Sequence, residues 1–253
     1  MLHTTEGVLK PHKEGEAQVT STSHPPLGIL MLETEFERVV GDGGNPATWA
    51  FPTRLGTISA ATPDAVVHRG AHALVDEFVA AGRRLANAGV VGITTSCGFL
   101  ILHQRALADG IGIPVATSAL LQVPTVQALL PKGRCVGIMT ASERSLTEAH
   151  LQAAGIEGKT PVVGLDENGH LSRVLLTGEE QLDLALAEQD VLSCGRQLLD
   201  AYPDIAAIVL ECTNLPPYAA RLSAALNCPV YDFYSMVNWF YQGLVPHGFT
   251  SAT

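Results

Sequence analysis

Two stretches constrain this chain more than any others. Val90-Val91-Gly92-Ile93-Thr94-Thr95-Ser96-Cys97-Gly98 and Ile205-Ala206-Ala207-Ile208-Val209-Leu210-Glu211-Cys212-Thr213 each read as a short buried strand running into a polar turn that carries one cysteine. A helical run follows each cysteine, and then a Pro-Val strand start, Pro114 or Pro229, at the same spacing of 17 residues. An apolar run with glycine second precedes each unit: Leu27-Gly28-Ile29-Leu30-Met31 in one half, Val136-Gly137-Ile138-Met139 in the other. The chain therefore reads as two related halves. Each presents one thiol at the C-terminal end of a strand, which suggests an enzyme with two facing cysteines.

The rest of the pattern fits. Strands alternate with helical runs of ten or more residues, which implies right-handed βαβ units and parallel sheets. The expected fold class is α/β, two pseudo-symmetric parallel-sheet lobes with the site in the cleft between them. Residues 1–24 read as a flexible arm ended by Pro25-Pro26, residues 25–131 with 229–253 as the first lobe, and 132–228 as the second. Expected helices run over His68–Ala88, Phe99–Ala108, Ala119–Leu130, Glu143–Ala154, Glu179–Tyr202, Pro216–Leu226 and Phe233–Leu244. Residues 33–57 read as irregular. The loop from Gly41 to Pro52, with Trp49 and Phe51, is either a lid or an anchored surface loop.

Composition excludes several classes. With 47% apolar residues the chain can bury a sizeable core, and a net charge of −10 leaves no electrostatic footprint for nucleic acid or an anionic membrane. No apolar run approaches a membrane span, and no signal-peptide pattern opens the chain. Five cysteines without close pairs fit free thiols in a reducing cytoplasm, and neither a disulfide framework nor a structural zinc site is expected.

Two thiols facing each other across a small acid can act as base and acid on the carbon beside a carboxylate, without any cofactor or metal. The base must be a thiolate, and a position just before a helix favours anions. Preorganised donors must stabilise the enediolate-like transition state. Ser96, Gly98, Thr140, Ser142, Thr213 and Asn214 lie at strand ends where ligands of parallel sheets bind, and Thr140 and Ser142 serve equally well as caps of the following helix. Thr34, Phe99 and Asn45 complete the candidate set around a small-molecule carboxylate. Cys135, Cys194 and Cys228 read as small core hydrophobes. Glu33 and Glu211 also end strands. Strand alternation turns Glu211 away from Cys212, so it reads as a solvated or ion-paired carboxylate. His103 and His150 read as surface or packing residues.

At Thr94-Thr95-Ser96-Cys97 and Glu211-Cys212-Thr213-Asn214-Leu215-Pro216 the chain resembles the aspartate/glutamate/hydantoin racemase superfamily, over roughly Leu27 to Leu244. The second stretch is similar to that family's Gly-Cys-Thr-His-x-Pro motif. The resemblance implies a cofactor-independent enzyme with Cys97 and Cys212 as the acid/base pair and Thr140, Ser142 and Thr213 as carboxylate binders, in a class where homo-oligomers are common. Cys97-Gly98-Phe99 replaces the usual Cys-Asn-Thr, and Asn214 stands where many relatives have histidine. The leading expectation is a racemase or epimerase acting at the α-carbon of a small carboxylate. The alternative is a lyase, decarboxylase or cis–trans isomerase of the same superfamily, and a small-molecule binding module is a third reading.

Overall fold

A computed structural model describes residues 24–178 and 180–249, so all but the last residue of the expected N-terminal arm lies outside the described residues. The chain forms two four-stranded parallel sheets. In the first lobe β1 (Leu27–Leu32), β2 (Thr53–Ile58), β3 (Ile93–Thr95) and β4 (Val115–Ala116) lie in the order β2-β1-β3-β4, with α1 (Val75–Asn87) and α2 (Gln104–Ile111) between them. The chain then runs through α3 (Val123–Leu129) into the second lobe. There β5 (Cys135–Thr140), β6 (Val162–Gly164), β7 (Ile205–Leu210) and β8 (Val230–Tyr231) lie in the equivalent order β6-β5-β7-β8. Its helices are α4 (Glu148–Ala153), α5 (His170–Ser172), α6 (Leu184–Ala201), α7 (Pro216–Leu226) and the closing α8 (Phe233–Leu244). The expected two-lobe α/β fold is what the chain adopts. No described helix is long and apolar enough to cross a membrane.

The central strands β1 and β7 bury nearly every residue, as strands covered on both faces must. β2 is the exception. It is an edge strand, Thr-Arg-Leu-Gly-Thr-Ile, largely open to solvent, and for that reason it carries no apolar signature. The expected helix His68–Ala88 begins only at Val75, because Gly70 and Ala71 adopt positive φ and break the run. The expected helix Glu143–Ala154 shortens to α4, capped by Thr147 and His150. The expected helix Phe99–Ala108 starts as a 3-10 segment, Gly98–His103, before α2. His103 and His150 are buried packing residues.

The lobes exchange their last helices. α3 follows the first sheet but lies on the second, where Gln127 Oε1 accepts from the Val136 N–H. α8 follows β8, which pairs with β7, and returns to the first lobe. There the Tyr241 hydroxyl donates to Pro25 O at 2.7 Å and its ring stacks on Phe51 at 3.7 Å. The chain therefore rejoins the first lobe at α8 and not at Pro229. This return packs the loop from Gly41 to Pro52. Trp49 stacks on Phe51 and Tyr234, meets Phe233 edge-on, and donates its indole N–H to Gly43 O. Phe233 is fully buried here. Phe233→Ala is expected to cost about 3–5 kcal/mol in urea unfolding and to shift the Trp49 emission to longer wavelength.

Candidate active site

The carboxyl ends of the two sheets face one another, and both cysteines open onto one cavity between them. The cavity is small and partly open to solvent. In the first lobe the Ser96 N–H donates to Leu30 O, and Ser96 Oγ accepts from the Leu32 N–H at 2.9 Å, fixing the turn that carries Cys97. In the second, the Glu211 N–H donates to Met139 O, and the turn carrying Cys212 follows. Thr213 ties the two together: its hydroxyl donates to Ser96 O at 2.7 Å, fully buried.

Of the residues singled out from sequence, Cys97, Cys212, Thr34, Ser96, Gly98, Phe99, Thr213 and Asn214 lie on the cavity wall. Three do not. Asn45 caps a 3-10 turn and donates to Arg38 O, Thr140 donates to Glu211, and Ser142 donates to Ser145 Oγ. Ala141 takes the wall position between the last two. The Thr213 hydroxyl proton is committed to Ser96 O, so Thr213 keeps no side-chain donor for a carboxylate. Thr34 Oγ accepts from Arg38 Nη2 at 2.9 Å and keeps its proton to donate.

Two further wall residues, Arg38 and Glu211, lie outside the candidate set drawn from sequence. Arg38 belongs to an extended stretch in which Thr34, Phe36 and Arg38 turn toward the cavity while Glu33, Glu35 and Glu37 face solvent. The guanidinium lies over the Phe36 ring and pairs with buried Asp42 at 2.8 Å; Asp42 in turn accepts from Asn214 Nδ2. The period-two pattern Glu-Thr-Glu-Phe-Glu-Arg was the available signal. Glu211 is fully buried, with Thr140 donating to Oε2 at 2.8 Å and no partner on Oε1 among the described residues. It is neither solvated nor ion-paired. The chain leaves strand geometry at Leu210, so alternation does not govern where Glu211 points.

Burial decides the electrostatics. Desolvation, then repulsion from Glu211, pushes the Cys97 thiol up to about 12, although the Phe99 N–H and the Arg38 charge favour its thiolate. The same two causes, in the same order, raise Cys212 well above its ordinary value. The Asn214 N–H alone helps its anion, while Cys97 and Asp42 oppose it. The thiolate advantage expected from the following helices is outweighed. Cys97 is followed by a 3-10 segment and Cys212 lies four residues before α7. Desolvation raises Glu211 to about 7 against the opposing hydrogen bond from Thr140.

No family model matches the chain. It is 27% identical over 94% of its length to a dimethylsulfoniopropionate lyase of Durusdinium sp. clade D, covering 81% of that protein. It is 24% identical over 93% of its length to dimethylsulfoniopropionate lyase 7 of Emiliania huxleyi, covering 72% of it. Among solved structures it resembles a Gly74Cys mutant of arylmalonate decarboxylase, with a TM-score of 0.62, 19% identity, and coverage of 89% of this chain and 95% of that one. Glutamate and aspartate racemases share the fold as well. The resemblance to the racemase superfamily, lyase and decarboxylase branches included, is borne out. These relatives and neighbours are all enzymes.

The raised pKa of Glu211 makes stability depend on pH. The folded chain holds this proton where the unfolded chain has lost it. Its stabilising effect is complete below about pH 4 and is lost as pH rises through about 7, a swing of about 3 kcal/mol. Glu211→Gln should remove that swing. Urea unfolding at pH 4.5 and pH 8 should show the variant gaining on wild type at the higher pH.

Proposed function

We propose that the chain is a cysteine-dependent lyase that eliminates a leaving group from the β-carbon of a small carboxylate, with dimethylsulfoniopropionate as the substrate to test first. The observation that carries this reading is the inequality of the two thiols. A racemase needs base and acid to exchange roles, so its thiols should be comparably easy to ionise. Here the Arg38 charge favours the Cys97 thiolate, whereas the Asp42 charge disfavours that of Cys212. An elimination needs one base only. The similarity to lyases over more than nine-tenths of this chain points the same way.

In this reading Arg38, Thr34 and the Ser96 hydroxyl receive the substrate carboxylate, and the charge on Arg38 stabilises the enediolate as it forms. The Cys97 thiolate removes the α-proton. The electron pair becomes the carbon–carbon double bond as the β-carbon–sulfur bond breaks, giving an acrylate and a neutral sulfide. Cys212, whose thiolate the Asp42 charge disfavours, stays protonated and serves as a donor. The onium group lies among Phe36, Phe99 and the aliphatic wall, where ring faces favour a cation that cannot hydrogen-bond. Its positive charge also favours the thiolate, so substrate binding assists formation of the base.

Proton NMR in D₂O with dimethylsulfoniopropionate should show vinyl signals and a sulfide methyl signal. Cys97→Ser should lower kcat/KM by about 10³–10⁴-fold and Cys212→Ser by about 10²-fold, within the range spanned by acid–base groups. Exchange of the α-proton with no new compound would replace this reading with racemisation. Arg38→Gln should raise KM about tenfold or more, the loss of a charge-assisted hydrogen bond to the carboxylate.

A further inference from the structure

We propose, building on the lyase reading, that Glu211 is a third acid–base group of this site: its carboxylate takes the proton of Cys97 as that thiol becomes the base. Three observations place it there. The side chain is fully buried, Oε1 has no hydrogen-bond partner among the described residues, and Glu211 is one of the residues that line the cavity. An unpaired buried carboxylate oxygen is costly unless something completes it during function. Gly98, the residue after Cys97, leaves the space that the carboxyl group fills, since a Cβ there would stand 2.2 Å from Glu211 Oε1. Glu211 also acts electrostatically on both thiols.

The physical need is clear. A thiol ionising near 12 supplies almost no thiolate at neutral pH. Losing its proton to bulk water beside an ionised Glu211 would place two negative charges in one desolvated cavity. Passing the proton to Glu211 keeps the charge of the pair at one, which low-dielectric surroundings strongly favour. The groups facing this pair are Cys212, Arg38 beside Cys97, Asp42 beside Cys212, and the Thr140 hydroxyl on Oε2. Glu211 itself is poised near neutrality, where a proton acceptor is most useful.

The protons balance. Glu211 carboxylate and Cys97 thiol become carboxylic acid and thiolate. The thiolate takes the α-proton and is a thiol again, as the onium group leaves with its bonding pair. Glu211 then releases its proton to solvent. The sum is substrate to acrylate, neutral sulfide and one proton.

Two readouts test this on the full-length protein. In the pH profile of kcat/KM, wild type should rise with an inflection near 7. Glu211→Gln should lose about 10²-fold or more at pH 7.5, and its rising limb should move up by at least one pH unit. Thr140→Val removes the hydrogen bond that holds the Glu211 pKa down, so its inflection should also move up, by less. A loss of equal size at every pH in Glu211→Gln, with the inflection unmoved, would overturn the proposal and leave the lyase reading intact. The second readout needs no substrate. The rate at which iodoacetamide alkylates Cys97, followed by mass spectrometry of its peptide, should show the inflection near 7 in wild type and lose it in Glu211→Gln. Superimposable alkylation profiles would overturn the proposal. Distinct profiles in a protein that forms no acrylate would sustain the Glu211–Cys97 coupling and overturn the lyase reading instead.

Discussion

The site depends on one buried hydrogen bond between the lobes, from the Thr213 hydroxyl to Ser96 O. Each cysteine turn is fixed locally by its own sheet, but neither sheet alone can set the position of one thiol against the other. Thr213 does so by joining the residue before Cys97 to the residue after Cys212. Its carbonyl accepts from the Gly43 N–H, and Gly43 is held by Trp49 and hence by α8. The helix exchange, the aromatic cluster and the packed 41–52 loop therefore bear on the same pair of turns. Bringing the turns together also closes them from water, so the constraint that assembles the site desolvates it.

Desolvation then dictates the chemistry. Three acidic groups, two thiols and a carboxyl, share one small cavity with Arg38 as the cation on its wall. They cannot all ionise. Ordinary Coulomb repulsion leaves room for about one negative charge, and the asymmetry of Arg38 and Asp42 directs it toward Cys97 among the thiols. The outer cleft adds a second asymmetry. It is lined by Glu33, Glu35 and Glu37, which repel a dianion and attract a cation on its way in. The proposed substrate, with one carboxylate and one onium charge, is complementary to both fields. A dicarboxylate does not.

Much of this was legible in the sequence, for reasons that can be named. β1, β7, α7 and α8 announced themselves because burial on both faces, or on one helical stripe, leaves a periodic apolar signature. The pairing of Cys97 with Cys212 was readable because an internal repeat puts equivalent positions at equivalent strand ends. β2 was not readable, because an exposed edge strand needs no apolar residues. α4 was misjudged at its start: the Ser142–Leu146 segment makes a local turn, and the helix waits for the Thr147 cap. Arg38 was hidden in a stretch whose alternation is real but made of charged residues. Strand alternation does not reach Glu211, which lies one residue past the end of β7. No local pattern reports that a carboxylate will be desolvated by the opposite lobe.

Gly98 and Glu211, each set against the motif that the resemblance quotes, fit together in space. A glycine follows Cys97 where the resemblance leads one to expect asparagine, and a glutamate precedes Cys212 where it leads one to expect glycine. Taken singly, each looks like drift. In three dimensions they are complementary, because the Glu211 carboxyl occupies the volume that any side chain at position 98 would need. A buried carboxyl placed beside two thiols by removing a side chain from the facing turn is costly to fold around, and stability gives no reason to keep it. Its presence is best explained by the proton it can hold, at the point where a desolvated thiol has nowhere else to send one.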